Sequence, residues 1–346
     1  MDDKPGDVLS EGLNATSSVR NETKKRKASR SKMARVIEGW INNLPTDALQ
    51  GLDLSTEKLL DSFPTAYAIY QPMLLWPKGT VTSGPWQLLI SRMGEPQLHG
   101  LYEKVAEEFH VRCIAINGGI PLQGGADGQK TNILRSPSKL RPVHGDFGPV
   151  VTTAPTPADF EAALWVETRQ NNIRQCWAPL YTMFSQGNVT EKARVLHLPA
   201  LGPAVMRAED STAVDLYAGI GYFAFSYAKA GVGLVLCWEL NPWSVEGLRR
   251  GARANGWRAA LFRCDYVGER TLEGRDVHRE NLVVFEEDNE NARRRISKAR
   301  AQIPPVRHVN CGMLPTSAPV WDDAVAIVDP DQGRDLGVIS AIRCAS

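Results

Sequence analysis

The chain has 346 residues, 43% of them hydrophobic and 23% charged, and its formal net charge is +1. This composition is that of a globular protein and excludes a wholly disordered, collagen-like or coiled-coil chain. The balanced charge supplies no overall basic field for nucleic acid, so such a partner would need local patches. No apolar run is long enough for a membrane span, and the polar N-terminus lacks a secretory signal, which predicts a cytosolic protein. The six cysteines form no CxxC pair, so we expect neither a metal site nor a disulfide framework.

The N-terminal part is predicted to hold a basic tail and a small α+β domain. Residues 1–32 are polar and contain the run Lys24-Lys25-Arg26-Lys27, which is typical of a disordered tail. Residues 33–157 form the expected domain. Apolar residues at helical spacing predict its first helix, and two apolar runs, 87–90 and 111–116, predict strands. The helical positions are Ile37, Trp40, Ile41 and Leu44.

The C-terminal part, residues 158–346, is predicted to alternate strands with helices. This alternation indicates βαβ units and therefore an α/β fold with a parallel sheet and right-handed crossovers. The predicted strands are 213–217, 234–239, 260–264 and 306–311, and the predicted helices are 158–172, 221–230 and 242–254.

A glycine turn follows the first of these strands. The segment reads Asp215-Leu-Tyr-Ala-Gly219-Ile-Gly221, and glycine there lets the backbone approach a ligand closely. Glu239 ends the next strand, where a carboxylate can accept hydrogen bonds from ribose hydroxyls. Asp265 follows the third strand, where an acid can meet the adenine amino group. With these strands as neighbours, the three positions would share one edge of the sheet and bind a nucleoside.

The glycine spacing fits two nucleoside cofactors. With Ala224 at its third position it also fits the dinucleotide fingerprint, so NAD stays open on spacing alone. Asp215, four residues before the first glycine, and the run Leu240-Asn241-Pro242 after Glu239 favour S-adenosylmethionine instead.

Several long motifs resemble one known family. The runs DLYAGIGYF (215–223) and WELNPWSVEGLRRGARANGW (238–257) are similar to those of the tRNA guanine-N1 methyltransferase/wybutosine-synthesis family. Its members are SAM-dependent enzymes that modify the purine 3′ of the anticodon. Glu239 in E-x-N-P favours the wybutosine branch, because the methyltransferase branch more often has Asp there. Three further blocks resemble segments of the same branch: WAPLYTMFSQGNVTEKARV (177–195), HVNCGMLPTS (308–317) and HGDFGP (144–149).

The resemblance implies a Rossmann-like class I SAM-binding domain, with S-adenosylmethionine as co-substrate and tRNA(Phe) as partner. The implied reaction transfers the 3-amino-3-carboxypropyl group to C7 of the tricyclic base 4-demethylwyosine and releases methylthioadenosine. The resemblance carries cofactor-binding roles to Ser185, to Lys192 and, at the ribose, to Glu239. It also places Asp265 and Tyr266 beside adenine, where the family has an Asp-Asn pair. It assigns no catalytic residue, and we expect a monomer.

The implied chemistry is alkyl transfer from a sulfonium, in which the donor carries its own leaving group. The positive sulfur activates three carbons alike, so the carbon held in line with the nucleophile is the one transferred. The chain could therefore also be a tRNA guanine-N1 methyltransferase, which transfers the methyl group. An inactive tRNA-binding protein is a further alternative. Arginine clusters at 249–253 and 293–300 are candidates for phosphate contacts or for solvated helix faces.

The end of the chain departs from the family pattern. After its L-P-T-S segment the family continues with a G-W-x-H-x-H-E-N strand, which residues 326–346 lack. We therefore expect C-terminal strands to be missing and the strand at 306–311 to lie at an exposed edge. Such a chain would be poorly soluble or inactive.

Overall fold

The computed structural model of the chain describes residues 31–118, 140–152, 154–185, 187–198, 210–263, 279–313, 316–328 and 338–340. Nearly all of the predicted tail, together with Asp265 and Tyr266, lies outside the described residues. Along the described ranges, none of the helices has the length and apolarity needed to cross a membrane.

The N-terminal part of the fold is a four-stranded sheet that helices cover on one face. Its elements are α1 (Lys32–Ile41), α2 (Thr56–Asp61), β1 (Ala68–Tyr70), β2 (Met73–Trp76), α3 (Gly84–Met93), α4 (His99–Phe109), β3 (Cys113–Ile116) and β4 (Arg141–His144). The strand order is β1-β2-β3-β4, with β2 and β3 parallel and the outer pairs antiparallel. The helices pack on the face that carries Leu74, Trp76 and Ile114.

Two of the three N-terminal predictions are confirmed. Helix α1 buries Ile37, Trp40 and Ile41, and it begins where the Ser31 hydroxyl accepts a hydrogen bond from the Ala34 amide. The run at 111–116 contains β3. The strand predicted at 87–90 is wrong, because those residues lie inside α3. An apolar run of four residues carries too few positions to separate a helical period from a strand period.

The C-terminal part is a six-stranded sheet with helices on both faces and a hairpin beside it. All neighbouring strands of this sheet are parallel, in the order β12-β11-β7-β8-β10-β9. The elements are α5 (Pro157–Ala162), β5 (Val166–Gln170), β6 (Ile173–Trp177), α6 (Val189–Leu196), β7 (Thr212–Asp215), α7 (Ala224–Lys229), β8 (Leu234–Trp238), α8 (Pro242–Ala254), β9 (Ala259–Arg263), β10 (Leu282–Glu286), α9 (Ala292–Ala299), β11 (Val306–Asn310), α10 (Trp321–Ile327) and β12 (Val338–Ser340).

Each face of the parallel sheet has its own apolar core. Val195, Phe225 and Val245, from α6, α7 and α8, pack on one face. Ile296 and Ile327, from α9 and α10, pack on the other. The α/β fold with a parallel sheet is therefore as predicted, and the four predicted strands correspond to β7, β8, β9 and β11.

The sheet order corrects two predictions. The third predicted strand, β9, does not neighbour β8, because β10 lies between them and pairs with both. Strand β10 is not among the strands predicted from the sequence. The second correction concerns the expected exposed edge at β11, since β12 pairs with β11 in parallel and places His308 opposite Val338.

The helix predicted over 158–172 is mostly wrong. Only α5 is helical, and it begins at a capping box formed by Thr156 and Asp159. Residues 166–170 form β5, which pairs with β6 as an antiparallel hairpin. Val166 and Thr168 are β-branched and favour a strand, and tertiary pairing decides between the two patterns.

A mixed cluster joins the two sheets and positions the candidate site. It brings Tyr70 and Met73 of the four-stranded sheet together with Trp177, Phe184 and Ile220. Ile220 lies between the two glycines of the turn after β7. The turn is therefore packed against the free face of the N-terminal sheet.

Candidate functional site

The glycine turn has the geometry that close approach to a ligand requires. Gly219 and Gly221 have φ angles of 54° and 93°, in the left-handed region that favours glycine. A Cβ at Gly221 would lie 2.6 Å from the ring of Phe225, so a side chain would displace the turn or the helix. Both glycines are therefore required by the backbone itself.

Asp215 organises this turn from inside the protein. Its carboxylate is fully buried and accepts hydrogen bonds from the amides of Ala224 (3.1 Å) and Tyr217 (3.3 Å). The Asn310 side chain donates a third, at 2.9 Å. Burial raises the pKa of the Asp215 carboxyl to about 6. The sequence places Asp215 among the residues expected to bind the cofactor. In the structure its carboxylate instead acts on the turn and on the start of α7 through protein groups.

Glu239 lies at the carboxyl end of β8 and faces the same turn. One carboxylate oxygen accepts from the Gly219 amide and the other from the Asn241 amide, both at 2.8 Å. Burial raises the pKa of Glu239 to about 6. Each carboxylate oxygen keeps a further lone pair, so the group can accept two ribose hydroxyls while these backbone bonds hold it in place.

Lys192 is buried, although a lysine on a helix is ordinarily exposed to solvent. Its ammonium donates to Gln170 Oε1 (2.9 Å) and to the Ser185 carbonyl (3.3 Å). It also lies about 5 Å from the ring centroids of Phe184 and Tyr222. Burial lowers its pKa to about 8. Among the described residues Lys192 forms no ion pair, so its positive charge has only neutral partners here.

Tyr222 connects Lys192 and Ser185 to the glycine turn. Its hydroxyl accepts from the Ser185 amide at 3.2 Å and donates to the Met183 carbonyl. Its ring lies under the Lys192 ammonium. The structure thus brings together Ser185, Lys192, Gly219, Gly221 and Glu239, five of the predicted positions, with Asp215 behind them.

An Asp-Asn pair lies where the predicted adenine-side residues were expected. Asp288 and Asn289 follow β10, the strand that neighbours β8. The Asn289 side chain donates to the Leu216 carbonyl at 2.8 Å, which ties it to the segment before Gly219. Asp265 follows β9 at the sheet edge and lies, like Tyr266, outside the described residues.

A signal for this pair was present in the sequence. The run LVVFE (282–286) is an apolar strand, and the Asp288-Asn289 pair follows it after one residue, Glu287. The acidic residues around the pair made the segment resemble a solvated face instead. The apolar run should therefore have predicted a strand, even though charged residues follow it.

The arginine clusters are largely engaged within the protein. Glu246, itself buried, binds both Arg249 (2.6 Å) and Arg250 (2.8 Å). On α9, Arg295 pairs with Glu287 at 2.5 Å and Arg293 pairs with Asp323 at 3.4 Å. These four arginines therefore serve first as internal links, and a phosphate would have to compete with their carboxylate partners.

These features define a class of protein before any comparison. A parallel sheet with helices on both faces, a glycine turn after β7 and an acid after β8 form a Rossmann-like α/β fold with a nucleoside-type site. No protein-family model matches the chain.

Two yeast relatives of the chain carry the same name. It is 42% identical over 266 residues to tRNA wybutosine-synthesizing protein 2 of Schizosaccharomyces pombe, a match that covers 77% of this chain and 58% of that protein. It is 30% identical over 302 residues to the Saccharomyces cerevisiae protein of the same name, covering 78% of this chain and 58% of that protein. The chain is thus homologous to proteins named tRNA wybutosine-synthesizing protein 2, and its matched part spans less than two thirds of their length.

A solved structure supports the fold. Protein PH0793 of Pyrococcus horikoshii superposes with a TM-score of 0.50 at 17% identity, over 86% of this chain and 76% of that one. At this identity the likeness concerns the arrangement of strands and helices.

Proposed function

We propose that the chain binds S-adenosylmethionine and transfers its 3-amino-3-carboxypropyl group to C7 of 4-demethylwyosine in tRNA(Phe). The homology to the yeast proteins supports this reaction. The observation that carries the proposal is Lys192, a buried ammonium with neutral partners that Tyr222 links to the glycine turn. A cation in that place suits the methionine carboxylate of the donor.

Each remaining group of the site has a role in holding the donor. Glu239 would accept the ribose hydroxyls, and Gly219 and Gly221 would let the backbone lie against the nucleoside. Asp288 and Asn289 would face the adenine edge, a role we assign to them because β10 neighbours β8. Ser185 would contact the methionine end beside Lys192. Asp215 would act as a positioning residue for the turn.

The proposed reaction needs little acid–base chemistry from the protein. C7 of the base attacks the γ-carbon of the donor, the C–S bond breaks, and its electron pair stays on sulfur as neutral methylthioadenosine. C7 then gives its proton to water. The work of the site is alignment, because the carbon placed in line with C7 is the one transferred.

The partner, the cellular location and the domain organisation of the chain are part of the same proposal. The enzyme acts on tRNA(Phe) as a monomer in the cytosol. A tail (1–32) and an α+β domain (33–157) precede the SAM-binding domain (158–346). The mixed cluster around Phe184 and Ile220 would keep the two domains in register.

Incubation of the chain with SAM and tRNA(Phe) carrying 4-demethylwyosine tests the proposed function, with the nucleoside product identified by chromatography. We expect methylthioadenosine in proportion to modified base. Release of S-adenosylhomocysteine would identify a methyltransferase instead. Release of neither product, with tRNA bound, would identify an inactive tRNA-binding protein. Binding of NAD in place of SAM by calorimetry would overturn the cofactor assignment.

A further inference from the structure

The β5–β6 hairpin ends beside Lys192 in a two-residue turn that is tied to two helices. Asn171 and Asn172 have φ angles of 52° and 60°, the left-handed conformation that tight hairpin turns require and that asparagine tolerates. The Asn171 side chain donates to the carbonyl of Val189, the first residue of α6, at 3.3 Å. Lys229, the last residue of α7, donates to the carbonyls of Asn171 (2.9 Å) and Asn172 (3.1 Å). The residue that enters the turn is therefore held in a fixed place relative to both helices.

Gln170 is the residue that enters the turn, and its side chain reaches Lys192. Alternation along β5 puts Gln170 on the half-buried face of the strand and Arg169 on the exposed one. Gln170 Oε1 accepts a hydrogen bond from the Lys192 ammonium at 2.9 Å, whereas the Ser185 carbonyl accepts at 3.3 Å. An ammonium has donors only, so the oxygen of the Gln170 amide must face it. Gln170 thus supplies the shorter of these two hydrogen bonds.

The ionisable groups around the ammonium leave its charge unbalanced within the described part of the chain. The Tyr222 hydroxyl is neutral, because burial, with the nearby Glu239 carboxylate, raises its pKa. On α6 itself, Glu191 and Arg194 pair with each other at 2.8 Å at the surface. A carboxylate in the place of Gln170 would balance the charge, whereas the amide supplies only a hydrogen-bond acceptor.

We propose that Gln170 is a positioning residue that sets ligand specificity: it holds the Lys192 ammonium at the methionine end of the donor without neutralising it. The inference rests on the proposed function. The donor carboxylate then supplies a counter-charge that none of the described residues around the ammonium supplies, in a place that is already desolvated. Methylthioadenosine lacks this carboxylate and gains no such ion pair. Gln170 should therefore determine how strongly the site prefers SAM to methylthioadenosine.

Gln170→Glu tests the proposal by placing a carboxylate where the amide lies. In the ligand-free protein the new ion pair should raise the pKa of Lys192 above its value of about 8. NMR of protein labelled with carbon-13 at the lysine ε-position measures this pKa, and the signal that is absent from Lys192→Arg identifies the residue. The donor carboxylate must now compete with the introduced one. SAM should therefore bind about tenfold more weakly, while methylthioadenosine affinity stays within about twofold.

Arg169→Gln is the matched control, because it lowers the net charge by the same one unit on the exposed face of the same strand. It should change neither the pKa of Lys192 nor the ratio of the two affinities. Gln170→Met keeps the length of the side chain and removes the acceptor, so the pKa of Lys192 should fall and SAM affinity should be lost at a lower pH. If Gln170→Glu does not fold, Gln170→Met decides in its place.

A Lys192 pKa that is the same in both Gln170 variants as in wild type would overturn the inference. Equal losses of SAM and methylthioadenosine affinity in Gln170→Glu would overturn it as well, because they would mean that Gln170 supports the local structure alone. If the pKa of Lys192 follows the Gln170 substitutions in a chain that binds no SAM, the proposed function is refuted and Gln170 remains the neutral partner that positions Lys192.

Discussion

The two sheets present different chemistry to the region where they meet. The parallel sheet contributes ionisable groups at the ends of its strands, with Glu239 after β8 and Asp288 after β10. The four-stranded sheet contributes uncharged side chains such as Tyr70 and Ala68. A transferase with a charged donor and a neutral acceptor needs both surfaces side by side. Because the two surfaces belong to different sheets, we expect donor binding and acceptor binding to be separable by mutation.

We expect the largest effect from Asp215, which holds the glycine turn of the parallel sheet in place, and we expect it on stability. Asp215→Ala leaves the Ala224 amide and the Asn310 side chain without their buried acceptor. At about 1–3 kcal/mol for each unsatisfied group, we expect the free energy of unfolding to fall by about 2–5 kcal/mol. Urea denaturation measures this loss. A fully stable Asp215→Ala protein that had lost only SAM binding would show that Asp215 contacts the ligand instead.

Glu239→Ala should produce the next largest effect, a loss of donor binding. Charge-assisted hydrogen bonds contribute about 1.5–3 kcal/mol each, so SAM and methylthioadenosine should both bind at least about tenfold more weakly. The protein should stay folded by circular dichroism. Glu239→Gln is similar in shape but uncharged, and we expect its affinity for SAM to lie between those of wild type and Glu239→Ala. Unchanged SAM affinity in folded Glu239→Ala would remove this residue from the site.

Lys192→Ala should separate the two ends of the donor. We expect SAM affinity to fall about tenfold more than methylthioadenosine affinity, because only SAM carries the carboxylate. Arg194, exposed on the same helix and paired with Glu191, offers the control variant Arg194→Ala, which should change neither. Isothermal titration calorimetry gives both affinities. Equal losses for the two ligands would mean that Lys192 supports the local structure rather than the methionine end.

Asp288→Ala tests which strand meets the adenine. We expect about a fivefold loss of methylthioadenosine affinity, as for one weakened hydrogen bond at a partly exposed site. The matched variant Asp265→Ala should leave the affinity unchanged. The opposite pattern would restore the original assignment to the segment after β9.

The smallest expected effect is a change of SAM affinity with pH. Glu239 must be ionised to accept ribose, so affinity should fall below its pKa of about 6, with Asp215 contributing to the same limb. Lys192 must be protonated to hold a carboxylate, so affinity should also fall above its pKa of about 8. Half a pH unit outside either value, the loss should be about fourfold. Methylthioadenosine should show the acid limb only, and an alkaline limb for it would contradict the role of Lys192.

The parallel sheet was more predictable from sequence than the N-terminal one. The strands β7 and β8 are apolar runs followed by a glycine turn and by the helix-starting Pro242, so β7, β8 and α8 followed from pattern. Glu239 followed from its place at the end of the predicted strand 234–239. In the N-terminal part, short runs such as 87–90 have no decisive period, and packing against Leu59 and Phe63 makes that segment helical.

Other features depend on contacts that no spacing reveals. The burial of Lys192 depends on Phe184 and Tyr222, which meet it only in the fold. After β8 the chain first forms β9 at the edge of the sheet, and it then returns to place β10 between β8 and β9. The cavity between the four-stranded sheet and residues 177–185 is lined by residues near 70, 117, 140 and 180. It forms only when these distant segments pack together.

We expect the site to present the γ-carbon of the donor, rather than its methyl group, to the base. Donor doubly labelled with heavy carbon in the carboxyl group and deuterium in the methyl group tests this directly in a single incubation with 4-demethylwyosine-bearing tRNA(Phe). Mass spectrometry of the digested tRNA should find the heavy carbon in the modified base and all the deuterium in methylthioadenosine. Deuterium in the base, with the heavy carbon in S-adenosylhomocysteine, would show methyl transfer and contradict transfer of the γ-carbon.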